Sequence, residues 1–235
     1  MGDHHDSCAD VLSLAVHEFR TPVSVVAGYL RILLRYFGDS LTDQQRKIVE
    51  DSERSCGKVS ALLAELSDLA KLEAHEVALR RERVALLGLV RDLGAAGPEG
   101  ADCPVILDVD ETDPAEVLGD RGRLREVLRT LLAATARERV GPSPLVVTCR
   151  TVGQGAQRVA RVAVGDPETV ESAMVDRGDP THGFDEFRGG LGFRLVIASR
   201  VVAAHGGTLS SPVAARGRLS LVVSLPAALP PEGSA

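Results

Sequence analysis

Apolar residues recur at steps of three and four over the first part of the chain, which is the period of an amphipathic α-helix. A first stripe contains Leu12, Ala15, Phe19, Val26, Leu30, Leu33 and Phe37. Gly-Asp-Ser at 38–40 ends it, and a second stripe contains Ile48, Ser52, Ser55, Val59, Leu62, Leu66 and Leu69. Thr42 and Gln45 have the spacing of a capping box at a helix start. The pattern predicts a helical hairpin over residues 1–75.

The two stripes hold more apolar surface than one hairpin can bury. One partner helix cannot cover all of the apolar side chains, which include Leu62, Leu63 and Leu66 on the second helix and Ile32 and Leu33 on the first. Two hairpins docked as a symmetric four-helix bundle would bury both stripes, so we expect a homodimer. The alternative is that the hairpin packs onto the rest of its own chain.

A different pattern follows over residues 76–235, where short apolar alternations are interspersed with helical periods. Strands are predicted at 105–110 and 218–226, and two more flank the sequence GQGAQ as a β-hairpin. An amphipathic helix is predicted at 119–140, with inward residues Leu124, Val127, Leu128, Leu131 and Leu132. A further helix at 195–207 ends in Gly206 and Gly207, in the manner of a glycine cap. The mixture predicts an α/β domain after the hairpin.

Composition narrows the classes of protein. The chain has 235 residues, 44% of them hydrophobic, and 33 acidic against 27 basic residues give a net charge of −6. This balance argues against nucleic acid as a partner. No run reaches the roughly 18 apolar residues of a membrane span, and the N-terminus is polar, so we expect a cytoplasmic protein. The four cysteines form no CxxC pair, so we expect free thiols and no metal site.

The sequence HEFRTP at 17–22 places a histidine beside an acid and before a proline. Glu18 could accept a hydrogen bond from the ring of His17, which would leave the other ring nitrogen as a nucleophile. Pro22 cannot donate to the carbonyl of Glu18, and a proline inside a helix costs about 3 kcal/mol. We therefore expect a bend beside a reactive histidine.

HEFRTPVSVVAGYL resembles the H-box of sensor histidine kinases, and the hairpin that follows has the length typical of that family. The resemblance implies that His17 is the phospho-accepting residue, that Glu18 assists proton removal, and that Thr21 orients water when a partner's aspartyl phosphate is hydrolysed. The implied partner is the receiver domain of a response regulator. Residues 76–235 resemble the family's ATP-binding domain, a sandwich with helices on one face of a mixed sheet. The expected class is therefore α+β.

The nucleotide site departs from the family pattern, in which ATP and magnesium are the implied cofactors. Ala134 stands where an asparagine would hold the magnesium ion, and it has no oxygen to offer. In DPETV, Asp166 remains for the adenine, but Glu168 and Val170 replace glycines. GLGFRL at 190–195 keeps Gly190 and Gly192, and the segment that forms a lid is short. We expect magnesium-ATP binding to be weak or absent.

Two hypotheses follow, from different functional classes. In the first, His17 exchanges a phosphoryl group with a receiver aspartate, as an autokinase if ATP binding survives and as a phosphorelay phosphotransferase if it does not. In the second, the chain is a catalytically silent module that docks and sequesters a response regulator or a partner kinase.

Overall fold

The computed structural model describes residues 3–74, 78–139, 141–175, 191–211 and 220–229. The chain divides into two compact units, residues 1–77 and 78–235.

The first unit is the helical hairpin that the sequence predicts. Helix α1 covers Asp3–Phe37, a 3-10 turn covers Gly38–Ser40, and helix α2 covers Asp43–Glu73. The capping box forms as expected, because the hydroxyl of Thr42 accepts from the backbone of Gln45 while the Gln45 side chain accepts from the backbone of Thr42. The side chain of Arg46 also donates to the carbonyl of Gly38, which ties the turn to the second helix.

Helical conformation continues through Pro22, so the proline does not end α1. The hairpin buries only a narrow seam, formed by Ala9, Val16, Leu63, Leu69 and Ala70. The expected first stripe misses Val16, because the seam between two particular helices depends on how they are rotated and not on period alone. Most of the larger apolar side chains in α1 remain exposed, among them Phe19, Val26, Leu33 and Phe37.

The second unit is a mixed α/β domain. Its helices are α3 (Leu86–Ala96), α4 (Arg121–Glu138), α5 (Val170–Val175) and α6 (Arg194–Ala204). Its strands are β1 (Glu82–Ala85), β2 (Val105–Val109), β3 (Glu116–Gly119), β4 (Leu145–Val152), β5 (Val159–Gly165), β6 (Thr208–Ser210) and β7 (Ser220–Pro226). Together with the hairpin, this confirms the α+β class.

The strands form a five-stranded sheet in the order β2-β4-β5-β7-β6 and a separate pair, β1-β3. Only β2 and β4 run parallel within the larger sheet, and its other neighbours are antiparallel. The β4–β5 pair is the hairpin predicted around GQGAQ, with Val152 opposite Val159 at its closed end.

The two faces of the larger sheet are covered differently. Helices α3, α4 and α6 pack against one another as a layer, and a Cβ built at Gly94 of α3 would lie within 2.8 Å of Leu107 on β2. Helix α5 packs with Val146, Ala163 and Val222, which alternate with the residues of that first face. The family resemblance implies helices on one face of the sheet only, whereas this short helix lies on the opposite face. It is stable there because its apolar side chains Val170, Ala173 and Met174 are buried against the sheet.

Helix α6 ends in a Schellman motif, as the two glycines predict. Gly206 has a left-handed φ of 75°, its N–H donates to Ala203, and the N–H of Gly207 donates to Val202. The cap residue His205 is buried; its Nε2 accepts from the backbone of Asp120, and its Nδ1 lies 2.7 Å from the carbonyl of Val201. The end of α6 is thereby joined to the start of α4.

Within the described ranges, no helix combines the length and the apolar character needed to cross a membrane.

Candidate functional site

His17 lies on the solvent side of α1, with its side chain 78% exposed. Its Nδ1 is 3.5 Å from Oε1 of Glu18, whose side chain is similarly exposed. Such an open pair adds little to stability, because water screens it. In the tautomer with the ring proton on Nδ1 beside Glu18, the lone pair lies on Nε2, which is open to solvent.

Thr21 follows His17 by one helical turn and is also exposed. Side chains four residues apart in a helix lie on one face, so Val25 and Tyr29 continue the row that starts at His17 and Thr21. Ile32 and Tyr36 extend this face toward the end of α1. We call the apolar part of the row the α1 ridge, and it consists of Val25, Tyr29, Ile32 and Tyr36, each between 46% and 70% exposed.

The sequence stripes do not identify the α1 ridge, although its residues stand in the printed sequence. The ridge is rotated away from Phe19, Val26 and Leu33, which continue the hydrophobic stripe at steps of seven. Thr21, Val25 and Tyr29 stand four, eight and twelve residues after His17. The ridge can therefore be found in the sequence only when the helical row is started at His17.

Helix α4 carries the positions at which the family pattern would hold magnesium. Seven consecutive residues are buried, from Thr130 to Ala136, and Ala134 is fully enclosed. This half of the helix therefore presents no open face to a cleft, and residue 134 offers no oxygen. At the other end, Asp120 caps α4 by accepting from the N–H of Arg123; this hydrogen bond outweighs partial burial and lowers the pKa of Asp120.

Asp166 is placed directly after β5 and is nearly buried. Its carboxylate accepts from the N–H of Glu168 at 3.1 Å, and its carbonyl accepts from the N–H groups of Thr169 and Val170. These bonds form a turn that leads into α5. The Thr169 hydroxyl then lies 2.7 Å from the hydroxyl of Ser220 on β7. In place of a glycine-rich loop, the DPETV segment makes a tightly bonded helix start.

Gly192 keeps a positive φ of 62° just before α6. The helix begins with Phe193 at the cap position and no side-chain cap. Arg194, which replaces the family's third glycine, has its guanidinium 3.1 Å from the carboxylate of Glu99. Gly190 and the residues that resemble the lid lie outside the described residues.

Other chemistry is restricted in the part of the chain that the structure describes. No group of three or more His, Cys, Asp or Glu side chains there could hold a metal ion. Cys149 is fully buried in β4, and burial, followed by the charge of Asp113, raises the pKa of its thiol to about 12. A thiol protonated at neutral pH is not a nucleophile.

Comparison with known proteins agrees with this geometry. Residues 9–75 match the family model of the His Kinase A (phospho-acceptor) domain. Over 225 residues the chain is 32% identical to the probable sensor histidine kinase TcrY of Mycobacterium tuberculosis, which covers 90% of this chain. Over 213 residues it is 26% identical to the signal transduction histidine-protein kinase BarA of Escherichia coli, covering 86% of this chain.

Solved structures agree on the fold. The full-length ShkA structure in complex with AMPPNP superposes with a TM-score of 0.66 and 23% identity, covering 94% of this chain and 46% of that one. The histidine kinase AdeS of Acinetobacter baumannii gives a TM-score of 0.55 at 18% identity, covering 91% and 98%.

Residues 9–75 thus belong to the His Kinase A (phospho-acceptor) domain family, and the chain as a whole is homologous to the sensor histidine kinases of two-component signal transduction. The chain spans less than half the length of these curated relatives, 44% of TcrY and 23% of BarA.

We predict that Ala134→Asn will destabilise the protein, because a buried amide has neither room nor a ready partner at this enclosed position. The expected loss is about 1–3 kcal/mol of unfolding free energy, measured by urea denaturation. Ala95→Asn, at an exposed position of α3, is the control and should lose only about 0.7 kcal/mol of helix propensity. Equal stability of the two variants would mean that residue 134 borders an open space.

Proposed function

We propose that this chain is a phosphoryl carrier of two-component signalling, in which His17 exchanges a phosphoryl group with an aspartate of a response-regulator receiver. The observation that supports this most strongly is the open position of His17 beside Glu18 at the head of the α1 ridge. A silent structural histidine would need neither the adjacent acid nor this access.

The transfer step follows from the ring geometry. The Nε2 lone pair attacks the phosphorus of the receiver's aspartyl phosphate, so that a P–N bond forms while the P–O bond breaks and returns a free carboxylate. The ring becomes positively charged if the proton stays on Nδ1, and Glu18 is close enough to stabilise or accept that proton. In the reverse direction the same cationic ring is a good leaving group. Phosphoryl transfer needs mainly positioning and charge stabilisation.

The α1 ridge supplies a docking surface for the receiver. Its side chains are apolar or aromatic, and they begin one turn below Thr21. A partner that covers the ridge would therefore reach His17 with its own reactive edge. Aromatic side chains such as Tyr29 and Tyr36 are well suited to such contacts, because they combine apolar area with a polar end.

The proposed state is a homodimer through the hairpin. Phe19, Val26 and Leu33 recur every seven residues and are exposed in the single chain, and so is Leu62 on α2. A second hairpin would bury this surface as a four-helix bundle and leave the α1 ridge, on another side of the helix, open to the receiver. We place this dimer in the cytoplasm, where receivers would meet it.

We infer that the phosphoryl group on His17 does not come from ATP bound to this chain. Three features support this. Ala134 provides no magnesium ligand, α4 is enclosed from residue 130 to 136, and one carboxylate oxygen of Asp166 accepts from the N–H of Glu168 in its own turn. The residues present thus do not fit magnesium-ATP, and the donor class we propose is an acyl phosphate on a receiver.

A second candidate function is a catalytically silent module that sequesters a receiver through the α1 ridge. The exposed α1 ridge would support docking of a receiver to a sequestering module as well as to a phosphotransferase. The two candidates differ only in whether His17 takes up phosphate.

The direct test is transfer from receivers phosphorylated with labelled acetyl phosphate. We expect the wild-type chain to acquire a label that is stable to base and labile to acid, as a phosphohistidine is. His17→Gln should remove the label, because the amide has no nucleophilic nitrogen. Circular dichroism should be unchanged, since residue 17 is exposed.

The matched control is His205→Gln, which removes a buried ring while leaving His17 intact, and it should keep the label in whatever fraction remains folded. If His17→Gln is labelled as strongly as the wild type, phosphotransfer at this residue is excluded. Binding of receivers without any label would favour the sequestering module.

We also predict that Leu62→Lys will give monomers, because the lysine would place a charge in the proposed dimer interface between two hairpins. Leu62 is 41% exposed in the single chain, so the hairpin itself should stay helical. Light scattering at micromolar concentration measures the mass. Glu50→Lys, also on α2 and exposed, should remain dimeric. A monomeric wild-type protein would contradict the proposed dimer.

A further inference from the structure

A cavity of about 510 Å³ lies on the sheet face that carries α5, at the closed end of the β4–β5 hairpin. We call it the arginine cavity. Its lining comprises Arg150, Val152, Gly153, Gln157, Val159, Arg161, Met174 and Val175. It has no part in the phosphoryl chemistry of the first unit. Its volume is within the range of about 300–1,000 Å³ that small-molecule sites occupy.

Two arginines face each other across the strands that line this cavity. Arg150 of β4 and Arg161 of β5 are directly opposed partners in the antiparallel ladder, so their side chains leave the same face. Like charges in directly opposed positions destabilise a sheet unless anions lie near them. A paired arrangement of this kind is also a ready site for a planar anion, since guanidinium groups bind carboxylates in a bidentate manner.

The chain places two carboxylates beside Arg150 and a backbone carbonyl beside Arg161. Arg150 makes a bidentate contact with Glu171 of α5, at 3.0 and 3.3 Å, and Asp108 lies 3.6 Å away. Arg161 donates through Nη1 to the carbonyl of Met174 at 2.7 Å. The contact with Glu171 uses two of the five N–H donors of Arg150, and Asp108 lies near Nη2; the remaining N–H groups give this guanidinium donor capacity for a further acceptor.

Beside the arginines and Gln157, the lining includes four apolar side chains. Val152 and Val159 form the cross-strand pair next to the arginines, and Met174 and Val175 close the side formed by α5. A ligand that fits would need an anionic end for the arginines and a compact apolar body for the valines. Bare phosphate or chloride would leave the apolar walls uncovered.

We propose that the arginine cavity binds a small organic carboxylate with an aromatic or short aliphatic body. The carboxylate lies against the Arg150–Arg161 pair, and the body packs between the two valines and Met174. Such a ligand touches both α5 and the β4–β5 hairpin, so it joins these elements. The site is independent of His17, and its test does not depend on phosphotransfer.

The experiment is a titration of the full ¹⁵N-labelled chain with benzoate, followed by amide chemical shifts. We expect saturable one-to-one binding with a Kd of about 1 mM or below. The largest shifts should fall on Gly153, Gln157 and Val175, which line the cavity. Benzyl alcohol, which has the same ring without the charge, and acetate, which has the charge without the ring, should each bind at least about tenfold more weakly.

Two variants locate the site. Arg150→Gln should weaken benzoate at least about tenfold by removing the guanidinium, and Val159→Phe should do so by filling the space. The matched control is Arg125→Gln, which removes an arginine of similar exposure that pairs with Asp92 on the helical layer, and it should leave the affinity unchanged.

Absence of saturable benzoate binding to the wild type would overturn the proposal. So would equal affinity for benzyl alcohol, or shifts centred away from the cavity. Arg150→Gln also releases Glu171 and so changes the fold's own contacts; Val159→Phe keeps both arginines and therefore decides the case alone. If Val159→Phe binds benzoate as well as the wild type, the cavity is not the site.

Discussion

Residues 130–136 of α4 are enclosed on every side, and this packing constrains what the second unit can do. The helix packs against α6 and against strands β5 and β7, and its small side chains Ala133, Ala134 and Ala136 are all buried. A magnesium ligand would need an oxygen on a free face of this helix, together with space for phosphates. We propose that this close packing leaves room for neither, and that the unit keeps the kinase architecture without its nucleotide chemistry.

The first unit has the opposite character. Its seam is narrow, its larger apolar side chains are exposed, and His17 is open to water. Surfaces of this kind are stabilised by partners, and the chain offers two of them on different sides of α1: the stripe of Phe19, Val26 and Leu33, and the α1 ridge. In the proposed function, one side would contact a second hairpin and the other a receiver, so that dimerisation and phosphotransfer could occur together.

The elements whose structure depends on residues close together in the chain could be predicted from the sequence. The hairpin follows from helical period and the Thr42–Gln45 box, and the end of α6 follows from Gly206 and Gly207, because each depends on residues close in the chain. Helix α5 could not be predicted in this way. Its six residues are too few for a periodic signal, and its place depends on Val146 and Val222, which are remote in sequence.

The candidate sites divide in the same manner. The pairing of His17 with Glu18 could be predicted because the two residues are adjacent in sequence. The α1 ridge could be predicted only by identifying the helical row that starts at His17. The facing of Arg150 and Arg161 depends on strand register, which the hairpin signal at GQGAQ does not fix to the residue. A shift by one position would have placed one arginine on the opposite face.

We propose that His17 exchanges phosphate although its own chain binds no nucleotide, and calorimetric titration with ATP in the presence of magnesium is the test. We expect no saturable heat up to millimolar ATP, and no difference when magnesium is withheld. Tight, magnesium-dependent binding would contradict it, because the enclosed half of α4 would then have to open around a ligand, and the chain would be an autokinase.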